Sequence, residues 1–293
     1  MQLNRQQVSD FERDGYLVLP RLISIAEVAT LRAETDRLSG VDAECIKRER
    51  NGAVRSILGA HESDGAAQSA SLRALTRTPR LMEPVVQLLG DPQVYIHHTK
   101  IDFKAAFEGG ICSWHQDYVT WRRDGIQAPR PITAMLMLDD AEEIGGALYF
   151  APGSYRLGEV IHLEYPGTSA LNPLSVERRQ LARLLEVRKP VPVLGTAGSV
   201  VLFHSNLIHG SGHNMSPRER RQIYIVYNPV SNKPLQVEQP RPDFDCSRNY
   251  TPIAMGREED ILMAIESHSS AFAHRLWPPI PNDDNTRDGA AYH

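Results

Sequence analysis

Apolar and polar positions along the chain change their period near residue 93. Before it the pattern is helical. Val8 and Phe11, followed by Tyr16, recur at near-helical spacing across residues 4–14, and Asp14-Gly15 breaks the run. A second helix starts at Ser24-Ile25-Ala26-Glu27, where serine and glutamate can satisfy each other's free amide donors as a capping box. A third starts at Thr78-Pro79, with threonine as N-cap and proline in the first turn, and stops at Gly90. From residue 93 onward the chain reads as short β-prone runs: VYIHHTKIDF, ICSWHQD, ITAMLML, GALYFAPG, SVVLFHS and RQIYIVYNPV. Gly, Pro or charged turns separate them, a spacing that predicts a sandwich or barrel and not βαβ units. A helix over Ser175–Leu185 interrupts the series, a short one is expected around Glu258–Glu266, and the tail PPIPNDDNTRDGAAYH reads as poorly ordered.

The expected architecture is therefore mainly β with flanking helices. It has a helical N-terminal layer over about 1–92, a jelly-roll core over about 93–250, and a C-terminal helix and tail over about 251–293, all in one domain. No internal repeat or low-complexity tract disturbs this reading.

Composition removes several function classes. The chain has 293 residues, 41% hydrophobic and 23% charged, with 32 Lys+Arg against 36 Asp+Glu and a net charge of −4. That balance offers no phosphate-tracking surface, so no nucleic-acid partner is expected. No run approaches the roughly 18 apolar residues of a membrane span. The N-terminus carries no apolar signal core, and three scattered cysteines (Cys45, Cys112, Cys246) make no disulfide framework. A cytoplasmic, soluble protein follows as the expectation, either a monomer or a homodimer.

The candidate chemistry begins at Trp114-His115-Gln116-Asp117. On a strand, residues i and i+2 share a face, so His115 and Asp117 can converge on one ion. Alone, a His-x-Asp pair is close to what chance provides in a chain with 11 histidines. It gains weight from SVVLFHSNLIHGSGHNMSPRERRQIYIVY downstream, where His204, His209 and His213 are ligand candidates and Arg218, Arg220 and Arg221 follow. Two histidines and one carboxylate leave coordination positions open, as non-haem Fe(II) oxygenases require, and an arginine fork suits the far carboxylate of a 2-oxo acid. A metal-dependent isomerase or zinc hydrolase on the same barrel is the rival reading, and a non-catalytic jelly-roll binding protein is another. A hydrolase has no use for the arginine.

VYIHHTKIDFK, WHQDYVTWRRDG, GALYFAPGS, AGSVVLFHSNLIHGSG and YNPVSN together resemble the phytanoyl-CoA dioxygenase superfamily of Fe(II)/2-oxoglutarate-dependent oxygenases. Within it the chain is most similar to the bacterial branch that hydroxylates free amino acids and related solutes, such as ectoine hydroxylase and L-proline 4-hydroxylase. The resemblance covers about residues 5–250 and implies a double-stranded β-helix (cupin-like) core. It implies His115, Asp117 and His209 as the iron ligands that carry catalysis. Arg220 and Lys104 would hold 2-oxoglutarate, with Ser211 and Thr99 as secondary hydrogen-bonders. Trp121, His98, Asp102 and Arg122 would face a small-molecule substrate. The implied reaction hydroxylates an unactivated C–H bond of a free amino acid or derivative, consuming O2 and 2-oxoglutarate and releasing succinate and CO2. A natural-product or other small-acid substrate is the alternative. Where this branch tends to read H-Q-(S/F)-(K/R)-I-N, the chain has His98 for glutamine and Asp102 for asparagine, which points away from ectoine itself.

Overall fold

The protein, described from a computed structural model over residues 1–165 and 174–264, is built on two antiparallel sheets. The larger has seven strands in the order β1 (Tyr16–Leu19), β11 (Val200–His204), β6 (Ile132–Met137), β13 (Arg220–Pro229), β4 (Val94–Lys104), β3 (Val54–Leu58) and β2 (Ile46–Arg48). The smaller has four: β10 (Val191–Val193), β7 (Leu148–Phe150), β12 (His209–Ser211) and β5 (Cys112–His115). A separate hairpin pairs β8 (His162–Glu164) with β9 (Leu174–Val176). This is a jelly roll whose sheets stay open at their edges.

Its core has two layers. Met135, Met137, Val201 and Phe203 of the large sheet pack against Leu148, Phe150 and Val193 of the small one. On the outer face of the large sheet, Ile57, Ile101, Leu136, Leu202 and Ile223 pack against Phe11, Val28, Leu31, Leu81 and Val85 of the helices. Strands with both faces covered read as unbroken apolar runs, which is why ITAMLM is buried at all six positions.

The three helices expected before residue 93 begin where the sequence places them. α1 (Arg5–Asp14) ends at Gly15, whose φ of 82° suits glycine. α2 (Ile25–Ser39) has the complete Ser24/Glu27 capping box. α4 (Pro79–Leu89) follows α3 (Ala70–Leu75), which the apolar pattern does not show, and Thr78 caps nothing: its hydroxyl donates to Glu258 at 3.0 Å. The purely helical N-terminal layer is corrected, since β1, β2 and β3 extend the large sheet from both edges. Four-residue YLVL and five-residue VRSIL are too short to show a period, and become strands only by pairing with β11 and β4. The helix expected over 175–185 is α6 (Arg178–Val187), with Ser175 and Val176 in β9 instead. Residues 260–264 are helical, while residues 265–266 and the tail lie outside the described residues.

Burial in this core holds two histidines, His97 and His204, uncharged near neutral pH. Burial, then the charge of Arg241, pulls His97 down to about 3, and burial pulls His204 to about 4. Between these values and their ordinary value the unfolded chain binds more protons, so stability rises with pH across that window. Urea unfolding is expected to lose on the order of 1–2 kcal/mol per pH unit as pH falls from about 6.5 to about 4.5. A midpoint that stays flat over this range would contradict the burial of both rings.

Candidate metal centre and cleft

His115 ends β5 and lies directly opposite His209 of β12, with ring centroids 4.2 Å apart. Asp117 is not on the strand. It opens α5 (Asp117–Arg123), so the strand argument that paired it with His115 is corrected: a strand-to-helix corner swings the carboxylate inward. Gln116 fixes that corner. Its buried side chain donates to Gly158 O (2.8 Å) and Asn206 O (2.7 Å) and accepts from Val160 N (2.9 Å). The Asp117 Oδ1 atom then stands 3.3 Å from His115 Nε2 and 3.8 Å from His209 Nε2.

The tautomers suit metal binding. His115 Nδ1 is 2.8 Å from Ser113 O and His209 Nδ1 is 2.9 Å from Leu207 O, so each Nδ1–H donates to a carbonyl and Nε2 is the nitrogen that each ring turns toward Asp117. Burial, chiefly, pulls His209 down to about 4. Burial alone would raise Asp117, but the two neighbouring imidazoles outweigh it and hold the carboxyl below the usual carboxylate range. The three ligand atoms all lie within 4.8 Å of one another. Two imidazole nitrogens and one carboxylate oxygen on one side of a buried point fit a divalent first-row metal with positions left open.

Other candidates are occupied elsewhere. His204 Nδ1 accepts from Asn206 N at 3.0 Å, and His213 Nδ1 lies 3.2 Å from Gly109 O. His97, Asp124 and Cys246 form a second buried cluster of metal-ligating groups. Both Asp124 oxygens there accept from Arg241, at 2.8 and 2.6 Å, and burial pushes the Cys246 thiol up to about 12. A paired carboxylate, a neutral thiol and a guanidinium make a poor cation site.

Strand register lays out the cleft beside the metal ligands. Arg220 of β13 pairs with Lys104 of β4; two residues on, Gln222 pairs with Asp102 and Met137; then Tyr224 with Lys100; then Val226 with His98 and Thr133. Each step of two residues is roughly 7 Å. At the first end Arg220 is 4% exposed, and its Nε and Nη1 are buried without a partner among the described residues. Burial pulls the Lys104 ammonium down to about 8, Arg220 adding to this, and Lys104 donates to Gly110 O at 2.8 Å and to Gly212 O. Ser211 lines the cleft near both. At the other end Trp121 packs edge-on against His98, and His98 Nδ1 and Thr133 Oγ1 are buried without a partner among the described residues.

Two expectations are corrected here. Thr99 alternates to the opposite face of β4, bonds His61 Nδ1 at 2.9 Å and does not line the cleft. Arg122 is 60% exposed and pairs with Glu159 at 3.2 Å. Asp102 does line the cleft, but its carboxylate is engaged by Lys100 (2.8 Å) and by the Ser56 hydroxyl (2.6 Å). The sequence reading missed Arg241, Asp245, Thr133 and Tyr224, all lining residues. Arg241 had no readable signal, because it sits in irregular chain and meets Asp124 only through the tertiary fold.

The chain as a whole is similar to proteins of one family. Residues 11–222 match the family Phytanoyl-CoA dioxygenase (PhyH). An ectoine dioxygenase of Nocardia farcinica is 33% identical over 86% of this chain and 88% of its own length. An L-proline trans-4-hydroxylase of Streptomyces griseoviridis is 34% identical over 83% of this chain and 92% of its own. EctD from S. alaskensis, solved with 2-oxoglutarate and 5-hydroxyectoine, superposes with a TM-score of 0.74 at 33% identity, covering 87% of this chain and 88% of that one. The same enzyme has also been solved with bound Fe.

Proposed function

The chain belongs to the phytanoyl-CoA dioxygenase family, and from that premise we propose that it is an Fe(II)/2-oxoglutarate-dependent dioxygenase that hydroxylates an unactivated C–H bond of a small amino-acid-like substrate. One observation carries the reading: a His-Asp-His cluster and a buried arginine fork whose Nε and Nη1 have no partner among the described residues share one cleft. A zinc hydrolase would account for the first and leave the second unexplained.

In this reading His115, Asp117 and His209 hold the iron through Nε2, Oδ1 and Nε2. When bound, iron couples the decarboxylation of 2-oxoglutarate by O2, yielding succinate and CO2, to insertion of oxygen into a C–H bond. The protein's own residues supply position and charge. The carbonyls of Ser113 and Leu207 hold the two imidazoles in the ligating tautomer. Arg220, with Lys104 and Ser211 beside it, receives the far carboxylate of 2-oxoglutarate. Keeping Asp117 as a ligand favours hydroxylation over halogenation, because a halide needs the position that the carboxylate occupies.

Substrate binds toward the opposite end. Trp121 forms an apolar wall, while His98 and Thr133 offer unpartnered polar atoms. Asp124 uses Nε and Nη2 of Arg241, so Nη1, 3.9 Å from Asp245, remains to meet a substrate carboxylate. His98 and Asp102, in place of glutamine and asparagine, set this pocket apart from that of an ectoine hydroxylase, and another free amino acid or amino-acid derivative is the substrate we propose. We propose one oxygenase domain, acting as a monomer or a homodimer. Among the described residues no helix is long and apolar enough to cross a membrane, and all three cysteines are free thiols, in keeping with the cytoplasm.

The test is anaerobic. Fe(II) and then 2-oxoglutarate are added to metal-free protein, the weak visible charge-transfer band is followed, and small amino acids are then screened for succinate release in air. A band in the wild type that is absent in His115→Ala is the expected result. Bound metal without a band would overturn the assignment and favour the hydrolase or isomerase.

A further inference from the structure

Gln222 stands between Arg220 and Tyr224, which both line the cleft; strand alternation puts its side chain on their side of β13, where it is wholly buried beneath the cleft surface. The two ends of its amide are treated differently. Oε1 accepts a hydrogen bond from the Tyr224 hydroxyl at 2.8 Å, whereas Nε2 is buried with no partner among the described residues. Arg220 leaves Nε and Nη1 in the same condition, two residues earlier on the same face. Buried donors without acceptors are expensive, and most charged groups in protein interiors are paired. Three together call for a ligand rich in acceptors. The nearest carboxylate in register, Asp102, is turned to Lys100 and Ser56 and does not serve them.

We propose that Gln222 is a binding residue for 2-oxoglutarate, adding its Nε2 to the arginine fork on the far carboxylate, and that Tyr224 is the positioning residue that turns the amide so that nitrogen faces the ligand. A carboxylate has about four lone-pair sites, enough for three donors. Burial keeps the Tyr224 phenol protonated far above neutral pH, so it donates to Oε1 and fixes the amide's sense. Lys100 stands over the same tyrosine ring at 4.9 Å and limits its movement. The consequence is selectivity for a dicarboxylic 2-oxo acid over one without the second carboxylate. This inference rests on the 2-oxoglutarate reading of the cleft.

Anaerobic calorimetry on the Fe(II)-loaded protein separates the two claims, with 2-oxoglutarate and 2-oxobutyrate as probes, the latter lacking the far carboxylate. Gln222→Met is expected to weaken 2-oxoglutarate about 10- to 100-fold and to change 2-oxobutyrate by no more than about threefold. Tyr224→Phe should show the same selectivity at about 3- to 10-fold, and keeps the test alive if Gln222→Met fails to fold. Equal losses for both acids would make Gln222 a structural residue, and unchanged 2-oxoglutarate affinity would overturn the proposal outright. Failure of the underlying reading looks different: the wild type itself would not bind 2-oxoglutarate, or Arg220→Met would bind it normally.

Discussion

Arg220→Met is expected to bind 2-oxoglutarate about 30- to 4000-fold more weakly and yet to be at least as stable as the wild type before cosubstrate is added. Loss of affinity follows from removing the charged partner of a desolvated carboxylate. The stability result is less obvious and comes from the cleft. Arg220 is 4% exposed, burial alone lowers its affinity for its proton, and two of its nitrogens have no acceptor among the described residues. Such a guanidinium is a cost to folding that its ligand offsets, and an unbranched apolar side chain of similar length removes the cost. Calorimetric binding and thermal unfolding of the same sample check both halves, while iron loading should be unchanged. A variant that unfolds several kcal/mol more easily and still binds 2-oxoglutarate would place Arg220 in the framework.

Asp117→Ala should reduce turnover to background. The imidazoles of His115 and His209 remain, each still tied to its carbonyl, but the oxygen that faces both Nε2 atoms is gone. Metal affinity should fall by more than the roughly 10- to 100-fold that follows loss of a mere supporting hydrogen bond. The fold should survive, since Asp117 opens α5 and its charge there is worth about 0.3–1 kcal/mol to the helix. Metal content after anaerobic reconstitution, measured beside succinate release, checks the assignment. Wild-type turnover in this variant would remove Asp117 from the ligand set.

Ser24 with Glu27, and Gly15 and Gly90 at helix ends, act through neighbours a few residues away, so their roles were readable directly. Arg220 was singled out from three arginines by the family resemblance, and the structure gives the distinction a physical form. Arg218 pairs with Glu142, Arg221 pairs with Asp139 and Asp36, and Arg220 is buried with its Nε and Nη1 unpartnered among the described residues. Thr99 and Asp102 are adjacent to residues of the cleft in sequence, yet alternation sends the first to the helical layer, and an ion pair engages the second.

By itself the sequence determined the chemistry available and the kind of fold: a β-rich chain with flanking helices, a His-x-Asp pair, a later histidine and an arginine eleven residues beyond it. These depend on residue type and on spacing within single elements, which local sterics and hydrophobic period impose. The tertiary structure alone decided that β1, β2 and β3 join the large sheet and that Asp117 reaches its histidines from a helix. It also brought Arg241 to Asp124 and left Gln222 Nε2, two residues from Arg220 on the same strand, without a partner among the described residues. Each of those outcomes is a pairing between segments far apart in the chain, and its free energy appears only once both partners are desolvated together in the packed core.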